Sequence, residues 1–137
     1  MRRPVTARDF EHFVGVPWLD GGRTLAGADC WGLFRLAYAE VLGVALPSYS
    51  GAYGSALDRI IIKRLIEGRP DHWVRVAEPA VGDGVLLEFI NRPHIGVAVG
   101  SGRMLHIEHG YGAVIESYET LKYQNALEGY YHYHEAA

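Results

Sequence analysis

Three observations predict that this 137-residue chain folds as an α+β domain. Apolar residues recur with a helical period through the first half, short β-branched or aromatic segments fill the second, and the pattern changes once, at Pro70. Helices followed by strands, without alternation, imply an antiparallel sheet with the helices gathered against it. With 49% hydrophobic and 21% charged residues there is apolar material for one core, so a single domain is expected over residues 1–137. No repeat, linker or low-complexity stretch interrupts it.

Taken in order, Thr6 is a cap for a short helix carrying Phe10, Phe13 and Val14, which Gly15 and Pro17 end. A glycine-containing loop follows to Ala28. The strongest helix then begins, with Cys30, Leu33, Phe34, Ala37, Tyr38 and Val41 on one stripe and Gly43 as its stop. Ser55 and Asp58 open a third helix rich in Ile60, Ile61, Ile62, Leu65 and Ile66, closed by Gly68 and Pro70. Strands are expected around Trp73 to Val76, Gly84 to Ile90, His94 to Val99, Arg103 to Glu108, Ala113 to Tyr118 and Gly129 to His134.

Charge excludes one class of partner. A net charge of −3 and a pI near 6.1 leave no basic footprint for nucleic acid. No segment reaches the ~20 apolar residues of a membrane span, and the N-terminus lacks the apolar run of a signal peptide. Synthesis in the cytoplasm without a leader is therefore expected. One cysteine rules out an intrachain disulfide.

That cysteine sits where a glycine-containing approach ends and a helix begins. Unpaired N–H groups and the positive end of the helix dipole favour a thiolate there, while a small buried apolar residue is the plain alternative. A base must accompany a nucleophilic thiol. His94 opens a strand in which His94, Gly96 and Ala98 share one face, and the two small residues would let a cysteine-bearing helix come close. A three-residue loop Gly100-Ser101-Gly102 would pair Val99 with Arg103, placing His94 opposite Glu108 and His106 opposite Gly96. The two imidazoles are then diagonal neighbours on one face, roughly 7 Å apart at the backbone. A two-residue loop would send them to opposite faces. Cys30 as nucleophile, His94 as base and His106 as orienting group form the candidate set, with Glu108 as a competing orienter.

Other residues have plainer readings. His132 and His134 alternate on a terminal strand expected at an exposed edge, and no further ligands accompany them or His106 and His109, so no metal site is expected. Asp29 is read first as a helix cap and second as a contact for a substrate ammonium. Tyr49 and Tyr53 are groove candidates or local loop packing.

Four ordered segments carry a family resemblance: Gly15 to Arg23, Gly27-Ala28-Asp29-Cys30-Trp31-Gly32-Leu33, Val81 to Leu86, and His94-Ile95-Gly96-Val97 with Leu105-His106. Together, with two histidines twelve residues apart, they resemble the NlpC/P60 cysteine peptidases. The resemblance implies a papain-like fold, its nucleophile helix packed on a C-terminal antiparallel sheet. It implies a cysteine endopeptidase without metal or cofactor, cleaving peptidoglycan stem peptides near D-γ-glutamyl-diamino acid bonds. Cys30 would attack, His94 would move the proton, His106 would orient His94, and the Cys30 N–H would help hold the oxyanion. Trp18 stands where many members have tyrosine and Trp31 where many have serine. With Asp29, these two form the candidate substrate-binding set; the Trp18 indole can donate a hydrogen bond but not accept one.

Trp18, Trp31 and the segment Glu40 to Tyr49 look like the subgroup encoded with tailed-phage tail genes. This implies assembly into a tail tip with other tail proteins, which would deliver the enzyme to the cell wall without a leader. A structural tail-hub protein with little activity is the alternative from another class. A Cys/His acyltransferase or amidase on the same fold is a third.

Overall fold

A computed structural model of the chain describes residues 4–46, 72–90 and 92–134. Among these, strands β3 (Trp73–Val76), β4 (Gly84–Phe89), β5 (Arg92–Gly100), β6 (Arg103–His106), β7 (Val114–Ser117) and β8 (Leu127–Tyr133) form one sheet in the order β3-β8-β4-β5-β6-β7. Every pairing in it is antiparallel. The helix expected at Cys30 is α1 (Cys30–Ala37), continued by a π turn over Tyr38–Leu42. The α+β architecture is thus as the periodicities predict. The third helix at Ser55 to Gly68, with Tyr49 and Tyr53, lies outside the described residues.

The first helical segment, Ala7–Phe13, is a 3₁₀ helix. Three residues per turn align Phe10 and Phe13, both fully buried, and leave Val14 half exposed at the end. Sequence reasoning missed a short β1 (Arg23–Thr24) and β2 (Gly27–Ala28) pair before α1, and a one-turn α2 (Leu121–Gln124). Neither has an apolar run long enough to signal.

Alternation along the strands divides the core in two. Leu86, Ile95, Val97, Val99, Leu105 and Ile107 pack with Trp31, Leu33, Phe34 and Tyr38 of the helical layer. Val85, Leu87, Ala98 and Met104 pack on the other side with Tyr118, Tyr123 and Ala126. α1 therefore rests on the Ile95-Val97-Val99 face, and not, as the sequence suggests, over Gly96 and Ala98. The large apolar side chains win the contact because their burial releases more surface from water. What Gly96 accommodates is its own neighbour: a Cβ there would lie 2.8 Å from Met104 Sδ, 3.2 Å from His106 Cβ and 3.2 Å from the Leu105 oxygen. Gly96→Val is expected to cost about 1–3 kcal/mol by overpacking, read as a lower thermal midpoint.

The β5–β6 turn differs from the expected one, with an instructive result. Gly100 pairs with Arg103, so the loop is the two-residue Ser101-Gly102, with left-handed φ of 56° and 70°. Such a loop alone would reverse the faces. A register shift between Ala98 and Gly100, with Gly100 at φ 99°, restores the expected register: Ala98 opposes Met104 and Val97 opposes Leu105. His94 and His106 consequently share the Ala98–Met104 face. β8, expected at an exposed edge, lies between β3 and β4 instead, and its His132 Nδ1 donates to Asp83 Oδ1 at 2.6 Å.

Candidate active site

Cys30 is the first residue of α1 and is half-buried. Its turn is held by Asp29, whose Oδ1 accepts from the Gly32 N–H at 2.7 Å and from Arg23 Nη1 at 2.6 Å, and whose Oδ2 accepts from the Gly21 N–H at 3.2 Å. Asp29 is thus the helix cap and the anchor of the preceding loop at once. Both carboxylate oxygens are engaged inside the protein, as a cap requires.

The two histidines meet directly. His94 Nε2 lies 2.8 Å from His106 Nδ1, the rings nearly perpendicular. His106 Nε2 in turn lies 2.6 Å from Glu116 Oε2 on β7. Glu108 is not the partner of His94: it accepts from Lys122 Nζ at 3.1 Å and from the Tyr123 hydroxyl at 3.0 Å. The Tyr123 hydroxyl also lies 3.1 Å from Glu116 Oε2. Glu116 is the residue sequence reasoning missed. The β6–β7 pairing that sets it opposite Met104, diagonal to His106, follows a seven-residue connection whose register no turn motif specifies.

Burial sets the charge state of this pair. Desolvation holds the His94 pKa well below the ordinary histidine value, with His106, Arg92 and Lys122 adding to the effect. The His106 pKa is lowered as well, by burial that outweighs the opposing pull of Glu116 and Glu108. Both imidazoles are therefore neutral near pH 7, the form that can accept a proton. Below about pH 6.5 the unfolded chain binds more protons at these two sites than the folded one, so stability rises with pH. It is complete above that value and lost as pH falls toward the folded-state pKa values. The thermal midpoint is expected to drop between pH 7 and pH 5, and to drop less in a His94→Gln variant.

His94, His106 and Glu108 bring possible metal-ligand atoms within 4.8 Å of one another. The 2.8 Å contact between the imidazoles already occupies the lone pair that a metal would need on one ring, so this pair either hydrogen-bonds or ligates.

Of the substrate-binding candidates, Trp18 is half-buried, donates its indole N–H to Asp20 Oδ1 at 2.9 Å, and meets the His109 ring edge-on at 5.2 Å. Its backbone bridges to Ala28, two residues before Cys30. Trp31 is a correction. It is 1% exposed and stacked on Phe34, with ring centroids 5.5 Å apart, so it belongs to the core rather than to a groove surface. An indole at the second helical position here fills the space between α1 and the sheet.

A family model described as the NlpC/P60 family matches residues 15–132. Among solved structures, the NlpC/p60 domain of the peptidoglycan hydrolase SagA is similar at a TM-score of 0.61 and 18% identity, covering 90% of this chain and 92% of that one. An NlpC/P60 family protein from Bacillus cereus is similar at a TM-score of 0.64 and 20% identity over 93% of this chain and 40% of its own. NlpC1 from Trichomonas vaginalis gives a TM-score of 0.65 and 17% identity over 94% of this chain and 43% of its own. The chain thus spans about two fifths of the latter two. No curated protein sequence matches it. Among the described residues no helix is long and apolar enough to cross a membrane.

Proposed function

The chain belongs to the NlpC/P60 family of cysteine peptidases and peptidoglycan hydrolases, and on that premise we propose that it is a cell-wall endopeptidase using Cys30, His94 and His106. The observation that carries this reading is the buried His94–His106 hydrogen bond within a chain of this family. The body of α1 packs on the opposite face of β5 from His94, so Cys30, the first residue of the helix, must reach His94 around the start of β5. With Nε2 of His94 committed to His106, Nδ1 is the nitrogen left to take the Cys30 thiol proton. The thiolate attacks a stem-peptide carbonyl, His94 returns the proton to the leaving amine, and water hydrolyses the thioester to regenerate the thiol. Support for Cys30 comes from its place at the start of α1, where helix N–H groups and the dipole favour negative charge. The Cys30 N–H would contribute to the oxyanion site, and Trp18 would line the substrate approach.

The substrate bond we assign is the one near D-γ-glutamate and a diamino acid, from the resemblance of the Asp29-Cys30 and His94 segments. The resemblance of Trp18, Trp31 and the segment Glu40 to Tyr49 supports a place in a phage or phage-like tail. Incubation of the purified protein with muropeptides, followed by mass spectrometry, should reveal fragments with a new diamino-acid amine. A folded protein that leaves every muropeptide intact, under reducing conditions and across pH, would overturn the peptidase reading in favour of a structural tail protein. The tail assignment is read separately, by the presence of the chain in purified particles.

A further inference from the structure

Glu116 is a charged group in direct contact with the histidine pair, and the reaction outlined above gives it no role. Its side chain is 45% exposed and borders a cleft of about 600 Å³ shared with Glu108, Tyr111, Lys122 and Tyr123, while His106 beside it is 1% exposed. A carboxylate accepts hydrogen bonds and cannot donate them. The 2.6 Å contact therefore requires the proton of a neutral His106 to sit on Nε2. That leaves a lone pair on His106 Nδ1, which must accept from His94, so the proton of a neutral His94 also sits on Nε2. The remaining lone pair of His94 is then on Nδ1. One acceptor at the end of the chain selects the tautomer of two rings.

We propose that Glu116 is a positioning residue that fixes the tautomers of both His106 and His94 through this pair of hydrogen bonds. The inference rests on the reading of His94 as the base only for its catalytic consequence; the tautomers themselves follow from the geometry. Two features keep the arrangement from overshooting. If His106 gained a second proton, its Nδ1 would become a donor and His94 would have to turn its lone pair toward it, leaving none for a thiol proton. Burial opposes that protonation. The Tyr123 hydroxyl, whose one proton is divided between Glu108 Oε1 at 3.0 Å and Glu116 Oε2 at 3.1 Å, draws on the charge of the oxygen that His106 contacts. Lys122 is directed to Glu108, 3.1 Å away.

The test is a nitrogen-15 spectrum of the imidazoles in full-length protein at a pH where both rings are neutral. Parent protein should show protonated Nε2 and unprotonated Nδ1 on both His94 and His106. Glu116→Leu, a change at a half-exposed strand position, should lose that single state and give mixed tautomers on both rings. Glu116→Gln keeps an acceptor oxygen and should restore it, with thermal midpoints confirming that both variants fold. Parent-like tautomers in Glu116→Leu, or failure of Glu116→Gln to restore them, would overturn the proposal. The spectrum needs no substrate, so intact muropeptides alongside the predicted tautomers would count against the peptidase reading alone.

Discussion

Cys30→Ala is expected to abolish muropeptide cleavage, lowering kcat by about 10⁴-fold or more with the fold intact, as removal of a covalent nucleophile does elsewhere. The size of the effect follows from chemistry. Without the sulfur there is no thioester, and His94 has no thiol proton to take; binding and oxyanion contacts alone leave only a small residual rate. The fold should tolerate the change, because Cys30 is half-buried at the first position of α1 and alanine is the best helix former. Two measurements are paired: product formation by mass spectrometry, and the thermal midpoint. Equal cleavage by parent and variant would remove Cys30 from the mechanism. Alkylation of the thiol in His94→Ala protein adds the base to the same test. Slower alkylation near neutral pH than in the parent is expected, because the imidazole no longer accepts the proton.

How far the sequence reaches depends on the range of the interaction that decides each feature. The helix at Cys30 and the strands from Trp73 onward are legible because local periodicity and burial agree there. The shared face of His94 and His106 is legible for a compensated reason: the turn is one residue shorter than the glycine pattern suggests, and the bulge at Gly100 returns the register. A local rule missed both parts, while the hydrophobic alternation of Ile95, Val97 and Leu105 held the outcome. Trp31 stands where the resembled family often carries a polar residue, and its own size and apolar character suit the core position it occupies. Glu116 and the interior place of β8 were invisible. Both depend on strand order across long connections, which no spacing encodes.

Asp29→Ala is expected to be the most destabilising of these substitutions, at about 3–5 kcal/mol, because it strips the partner from a buried charge as well as the cap from a helix. The side chains of Arg23 and Asp29 are only 9% and 4% exposed, with their contact at 2.6 Å. Removing the carboxylate leaves the guanidinium without that counter-charge in a poorly solvated site and frees the N–H groups of Gly32 and Gly21. For a chain of this length such a loss lowers the thermal midpoint by roughly 10–20 °C. Asp29→Asn should fall between parent and alanine, since an amide oxygen still accepts from the Gly32 N–H but carries no charge for Arg23. The same pair of variants separates the two roles of Asp29. As cap and anchor, it should affect the midpoint strongly while KM for muropeptides, measured on the folded fraction at low temperature, stays close to parent. A contact to a substrate ammonium would instead raise KM in Asp29→Asn with little change in midpoint, an outcome that the three internal hydrogen bonds of its carboxylate argue against.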